Sequence, residues 1–166
     1  MIESDFNKKL MQKAGSLLAR RAYSRGELQD KLASIGEPQQ VESVLDRLEQ
    51  LNLLDDAEYA YNSASRWIRH DGWGPARARD LLLRRKVPVS LAEAAIDRVR
   101  QEIGDAEALE AYLNRRCRTR PLPEDRKGIH KLVVSLGHRG YSSEAICSVL
   151  RQKIPTAVWQ PFDTGE

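Results

Sequence analysis

A single corner recurs along this chain, and its spacing limits the folds open to it. Shifting the sequence by fifty residues lays Leu17-Leu18, Tyr23-Ser24, Leu32 and Pro38 on Trp67-Ile68, Trp73-Gly74, Leu82 and Pro88. A shift of sixty-eight lays Ile68, Gly72-Trp73-Gly74, Ala78 and Leu82 on Leu136, Gly140-Tyr141-Ser142, Ile146 and Leu150. An aromatic residue stands at each turn, and Arg20-Arg21, Arg69-His70 or His138-Arg139 precedes it. Apolar residues at helical spacing flank every copy, so each reads as helix, tight turn, helix. The third helices of the first two copies match with one extra residue, Asp46-Arg47-Leu48 against Asp97-Arg98-Val99. Units this small cannot bury an apolar face alone and must share cores with their neighbours. The expected fold is all-α: three tandem three-helix repeats in an elongated, curved array with no strands. The expected boundaries are 6–54, 55–104 and 105–154, with a Pro-containing linker at 119–124 and a frayed tail over 155–166.

Helix signals fill in the units. Leu10, Ala14, Leu17 and Leu18 predict a first helix from about Phe6 to Arg21. Ser24-Arg25-Gly26-Glu27 has capping-box form and opens a second, carrying Leu28, Leu32 and Ile35 as far as Gly36. A third runs from Pro38 to about Asn52 with Val41, Val44, Leu45, Leu48 and Leu51 inward. Its face of Glu42, Asp46, Arg47, Glu49 and Gln50 reads as acidic and solvated. Asp56 is placed to cap the fourth helix, which carries Ala60, Ala64, Trp67 and Ile68. Gly72-Trp73-Gly74-Pro75 forms the next turn, since Gly closes helices and Pro suits a first helical position. Ala78, Leu81 and Leu82 follow, then a stop near Val87-Pro88. Ser90 to Glu93 reads as a second capping box, before Ala92, Ala95, Ile96, Val99 and Ile103. Asp105 is expected to cap a seventh helix with Leu109, Tyr112, Leu113 and Cys117 inward. Ile129, Leu132, Val133 and Leu136 mark an eighth. Ser142 or Ser143 caps a ninth, with Ile146, Val149 and Leu150.

Charge is unevenly placed. Residues 1–62 carry 8 basic and 11 acidic side chains, whereas residues 63–166 carry 19 and 13. Arg66–Lys86 and Arg115–Lys131 each hold seven cations against two acids. A polyanion or an acidic protein groove suits such a surface. The candidate contacts are Arg66, Arg69, Arg77, Arg79, Arg84 and Arg85, then Arg115, Arg116, Arg118, Lys127, Lys131 and Arg139. Trp67 fits the inward stripe. Trp73 reads as a lock on its corner, with stacking on a base as the alternative.

Other chemistries find no support. Cys117 and Cys147 form no C-x-x-C pair and read as reduced, partly buried thiols. His70, His130 and His138 lack partners at metal-ligand spacing, so no metal or cofactor is expected. Gly72-Trp73-Gly74 follows a helix rather than the strand a dinucleotide fingerprint needs. Asp55-Asp56 reads as a cap, and no catalytic triad or phosphate loop is present. No enzyme is expected. No apolar run spans a membrane, and the N-terminus lacks the apolar core of a secretory signal, so a cytoplasmic protein is expected.

Several motifs in order carry a family likeness. Ser24…Glu27-Leu28…Lys31-Leu32…Gly36, then Leu54-Asp55-Asp56…Tyr59-Ala60, then Arg66…Gly72-Trp73-Gly74-Pro75…Leu82 resemble the RecX family, bacterial regulators of the RecA recombinase. Pro121-Leu122-Pro123 and Arg139-Gly140-Tyr141 look like that family's third repeat. The likeness covers roughly residues 10–153. Two positions depart from it: Lys86-Val87 stands where the family usually has Gly followed by Ile or Val, and Ala78 where it often has Ile. A monomer is expected, and the resemblance implies that it lodges in the groove of the RecA filament on DNA. It also implies damping of ATP hydrolysis, strand exchange and the coprotease activity behind the SOS response, with direct DNA contact in some members. The competing reading is a helical DNA-binding protein that does not act on the recombinase.

Overall fold

The computed structural model describes residues 2–155 and Val158, with side chains from Asn7 onward. Among them are nine α-helices and no strand, as the periodicity predicts. They are α1 (Ile2–Leu18), α2 (Arg25–Leu32), α3 (Pro38–Gln50), α4 (Asp56–Arg66), α5 (Pro75–Arg84), α6 (Val89–Glu102), α7 (Asp105–Cys117), α8 (Arg126–His138) and α9 (Ser143–Lys153). A π-helical turn, Trp67–Asp71, continues α4. All but Pro155 and Val158 of the predicted frayed tail lie outside the described residues.

The chain divides into two compact units, Met1–Ser63 with Leu81–Ala95, and Ala64–Asp80 with Ile96–Glu166. The first is built on α1, α2 and α3. Leu10, Ala14, Leu28, Leu32, Val41, Val44, Leu45, Leu48 and Leu54 form its core. Ile35 and Leu51, expected inward, are exposed. Both lie beyond the last residues of their helices, where the inward stripe no longer applies.

The second unit is built on α7, α8 and α9. Leu109, Leu113, Ile129, Leu132, Leu136, Tyr141, Ile146, Val149 and Leu150 form its core. Trp67 and Ile68 are buried, as their stripe requires.

Helix ends repeat one device. At the end of α3 the Leu53 N–H donates to the Leu48 carbonyl at 2.9 Å, with Asn52 at φ 54°. At the end of α5 the Val87 N–H donates to Leu82 at 3.1 Å, with Lys86 at φ 59°. After α8 the Tyr141 N–H donates to Leu136 at 3.3 Å, with Gly140 at φ 91°. Each is a left-handed residue that turns the chain while satisfying the last carbonyls.

Helix starts depart from expectation at three points. The α4 cap is Asp55, whose carboxylate accepts the Glu58 N–H at 2.9 Å. Asp56 instead accepts the Arg25 N–H at 2.7 Å and so holds the start of α2. Gly104, not Asp105, is the α7 cap; Asp105 is the first residue of that helix and pairs with Arg100 at 2.9 Å. Helix α6 begins at Val89, which puts Ser90 inside the first turn rather than at a cap. The Ser24–Glu27 box is present in both directions, and Ser142 caps α9.

Candidate functional site

The stretch from Arg66 to Pro75 is a helix end tightened into a corner. Left-handed Gly72, at φ 71°, donates its N–H to the Trp67 carbonyl, and the Trp73 N–H reaches the same oxygen at 3.0 Å. A Cβ on Gly72 would also lie 2.2 Å from the Tyr112 ring. Only glycine meets both demands. Pro75 is the first residue of α5, where its missing N–H has no helical partner to lose.

The π turn leaves backbone carbonyls pointing out of its last residues, and arginines supply donors for them. Arg139 Nη1 donates to the Gly72 carbonyl at 3.1 Å and to that of Asp71 at 3.4 Å. Arg115 Nη2 reaches the His70 carbonyl at 3.5 Å. The Arg139 guanidinium lies 4.7 Å from the centre of the Trp73 ring and 4.5 Å from that of Tyr112. Arg77 lies 5.4 Å from Trp73. Trp73 is therefore packed against guanidinium groups in a half-buried corner. Tyr141 is buried next to this group, and burial pushes its hydroxyl up to about 12.

The twelve predicted contact residues are divided between the two units. Arg77, Arg115 and Arg139 gather at the Trp73 corner in the second unit. Arg69 is committed elsewhere, to Glu102 at 2.8 Å and Ser65 at 3.2 Å. Arg66 is exposed and 3.9 Å from Asp71. Arg79 and Arg116 are half-buried, while Arg118, Lys127 and Lys131 are exposed. Arg84 and Arg85 belong to the first unit, where Arg84 is exposed. Arg85 donates to the Tyr59 hydroxyl at 3.0 Å, and its carbonyl accepts a short hydrogen bond from Ser24.

The first unit holds an ion-paired cluster that the sequence concealed. Arg25 gathers Glu42, Asp46 at 2.7 Å and Glu49 at 2.8 Å. The face of α3 expected to be merely solvated is thus bound to α2. Burial works against the Arg25 charge, but the three carboxylates outweigh it and raise its pKa. Their spacing along α3 was the available signal; the cation that collects them lies on another helix.

Among the described residues no group of three His, Cys, Asp or Glu is placed to hold a metal ion. No described helix is long and apolar enough to cross a membrane. A groove of about 530 Å³ in the second unit is bordered by Asp97, Arg100, Asp105 and Glu144. Its Arg100–Asp105 pair is closed by two bonds of 2.9 Å.

The model of RecX, first three-helix domain, matches residues 11–48. A regulatory protein RecX from Pseudomonas fluorescens (strain SBW25) is 37% identical over 141 residues, spanning 82% of this chain and 86% of its own length. The chain belongs to the RecX family. A regulatory protein RecX from Pseudomonas tolaasii is 38% identical over 140 residues, again 82% of this chain and 86% of the relative. The crystal structure of RecX from Lactobacillus salivarius shares the fold, with a TM-score of 0.76 at 21% identity over 90% of this chain and 97% of that one. Membership of a family of regulatory proteins makes this a regulator by kinship. The Lys86 departure also gains a physical meaning: it occupies the left-handed position where glycine is least strained.

Proposed function

We propose that this RecX protein is a non-catalytic modulator of the RecA recombinase that binds the RecA–DNA filament. In this reading it lowers ATP hydrolysis, strand exchange and coprotease activity, and so tempers DNA repair and the SOS response in the cytoplasm. The observation that carries the reading is kinship across four-fifths of the chain with proteins named as regulators. In this reading the protein acts as a monomer whose three repeats, 6–54, 55–104 and 105–154, contact the filament groove. Arg66, Arg77 and Arg84 are the contacts favoured in the middle stretch. Arg69, Arg85 and Arg139 are occupied within the fold.

The test is RecA ATP hydrolysis on single-stranded DNA, with this protein titrated well below the amount of recombinase. Suppression at such ratios marks action on the filament, because competition for DNA needs roughly one protein per site. Hydrolysis that stays unchanged until the DNA is saturated rejects the reading.

A further inference from the structure

Helix α9 does not run out into solvent. Ile154 leaves it in extended backbone, is 4% exposed and belongs to the core of the second unit. The Val158 N–H donates to the Pro155 carbonyl at 3.0 Å, which returns Val158 to the same core, against which it packs. The last described side chain is therefore seated on the fold.

Beside it lies a groove of about 420 Å³. Its walls are Leu122 and Pro123 from the connection before α8, and Ile154, Pro155 and Val158 beyond α9. Pro123 packs on the start of α8, where a Cβ on Gly128 would stand 2.6 Å from the Pro123 Cβ. Two polar residues complete the border. The Lys153 ammonium is already held by Glu110 at 2.9 Å and Asn114 at 3.0 Å, whereas Glu124 is exposed. The groove is thus an apolar slot with a carboxylate at its edge.

Position, reach and chemistry select its occupant. Eight residues follow Val158, WQPFDTGE, and they hold one of the three tryptophans and one of the two phenylalanines. Adjacent Cα atoms are about 3.8 Å apart, so the Trp159 side chain starts at the groove wall. An indole buries a large apolar area and still needs an acceptor for its N–H. An apolar slot edged by Glu124 meets both needs. A tethered segment this short also acts at an effective concentration on the order of millimolar, which favours it over a second copy of the chain in dilute solution. The acids behind it, Asp163 and Glu166, suit Arg118, Arg120, Arg126 and Lys127, which are exposed on both sides of residues 122–124 in the sequence.

We propose that the segment after Val158 is an intramolecular latch whose Trp159 side chain seats in this groove. Docked there, the tail ties the connection between α7 and α8 to the end of α9 and brings its acids towards the exposed cations of that connection. Such a seat limits the fraying expected of residues 155–166. The proposal goes beyond the filament reading and does not depend on it.

The experiment uses the full chain labelled with fluorotryptophan and reads its fluorine NMR spectrum. Three tryptophans give three resonances, and Trp159→Phe identifies the one that belongs to the tail. Trp67 and Trp73 lie in the same unit as the groove and report that it stays folded. The expected Trp159 resonance is shifted away from that of a free peptide of residues 156–166. Leu122→Glu, which places a charge in the wall, should return it to the free-peptide position while Trp67 and Trp73 keep theirs. If Leu122→Glu disturbs those two as well, Val158→Ser tests the same wall from outside the helices, with the same expected return. A Trp159 resonance at the free-peptide position in the parent chain, or one that the wall variant leaves shifted, overturns the proposal. So does a shift that fades on dilution, which would assign the groove to the tail of a second copy.

Discussion

Gly74 and Gly140 meet backbone to backbone, with no side chain between them. The Gly74 N–H donates to the Arg139 carbonyl at 2.7 Å, and the Ala76 N–H to the Gly140 carbonyl at 3.3 Å. A Cβ on Gly74 would lie 2.3 Å from the Gly140 carbonyl carbon. The two glycines flank equivalent aromatic corners, so the turn of one copy rests on the turn of the other inside the second unit.

Gly74→Ala should therefore destabilise the fold by about 3 kcal/mol, since the intruding methyl meets backbone that has no rotamer to yield. Chemical denaturation reads the effect. A change below about 0.5 kcal/mol, the ordinary range for a surface substitution, would show that the corners separate freely.

Tyr141→Phe should do the reverse. The Tyr141 side chain is buried, and its hydroxyl has no hydrogen-bond partner among the described residues. Removing an unsatisfied buried hydroxyl is expected to be neutral or to stabilise by about 1 kcal/mol at neutral pH. The phenol pKa is raised by burial to about 12 from 10.0. Its contribution is thus fully present below the unfolded value and is lost as pH rises through the folded one. The Phe variant lacks that loss, so its advantage should widen between pH 10 and 12. An absorbance titration in which every tyrosine ionises near 10 would count against this.

Glu27 behaves with the opposite sign. Burial opposes its charge, but hydrogen bonds from Arg21 and the Ser24 N–H, with Arg21 and Arg85 nearby, hold its pKa below the ordinary 4.5. Its stabilisation is present above the unfolded value and lost as pH falls through the folded one. Glu27→Gln should cost about 1 kcal/mol at neutral pH, and the two proteins should converge in stability as the pH falls from 4.5 through the folded value. Parallel stability curves across that window would exclude the charge as the cause.

Lys86→Gly should stabilise. A non-glycine residue in the left-handed region costs about 1–2 kcal/mol, and the exposed Lys86–Asp30 pair offsets at most about 1 kcal/mol of that. A net gain of roughly 0.5–1 kcal/mol is expected from the backbone term. A lower melting temperature for the variant would mean that the ion pair outweighs the strain.

How much of this was legible in the sequence depends on how far apart the partners lie. The helices, the Ser24–Glu27 box, the Gly72–Pro75 corner and the buried Trp67 all follow from residues a few positions apart. The Asp56 role did not, because the Arg25 N–H that captures its carboxylate is thirty-one residues away. The same holds for Arg25 and the three acids of α3. Arginine-rich stretches proved the least readable. Exposed Arg84 and carbonyl-binding Arg139 look alike in composition, and only the fold separates a cation that faces solvent from one that closes a helix end.

Arg77 and Arg139 put that distinction to an assay. Arg139 makes two hydrogen bonds to the π turn and stacks against Trp73 and Tyr112. Arg139→Gln should cost about 1–2 kcal/mol of stability through those contacts. Arg77 has one ring contact and a half-exposed side chain, so Arg77→Gln should cost less than about 1 kcal/mol. If Arg77 faces the filament, its variant needs about tenfold more protein to suppress RecA ATP hydrolysis, equivalent to about 1.4 kcal/mol of lost affinity, while its melting curve stays close to the parent's. Arg139→Gln should show the converse below its melting range: a lowered melting temperature and suppression near the parent level. Suppression lost in step with stability for both variants would mean that the Trp73 corner is scaffold throughout, and that the contacts lie at Arg66, Arg84 or beyond.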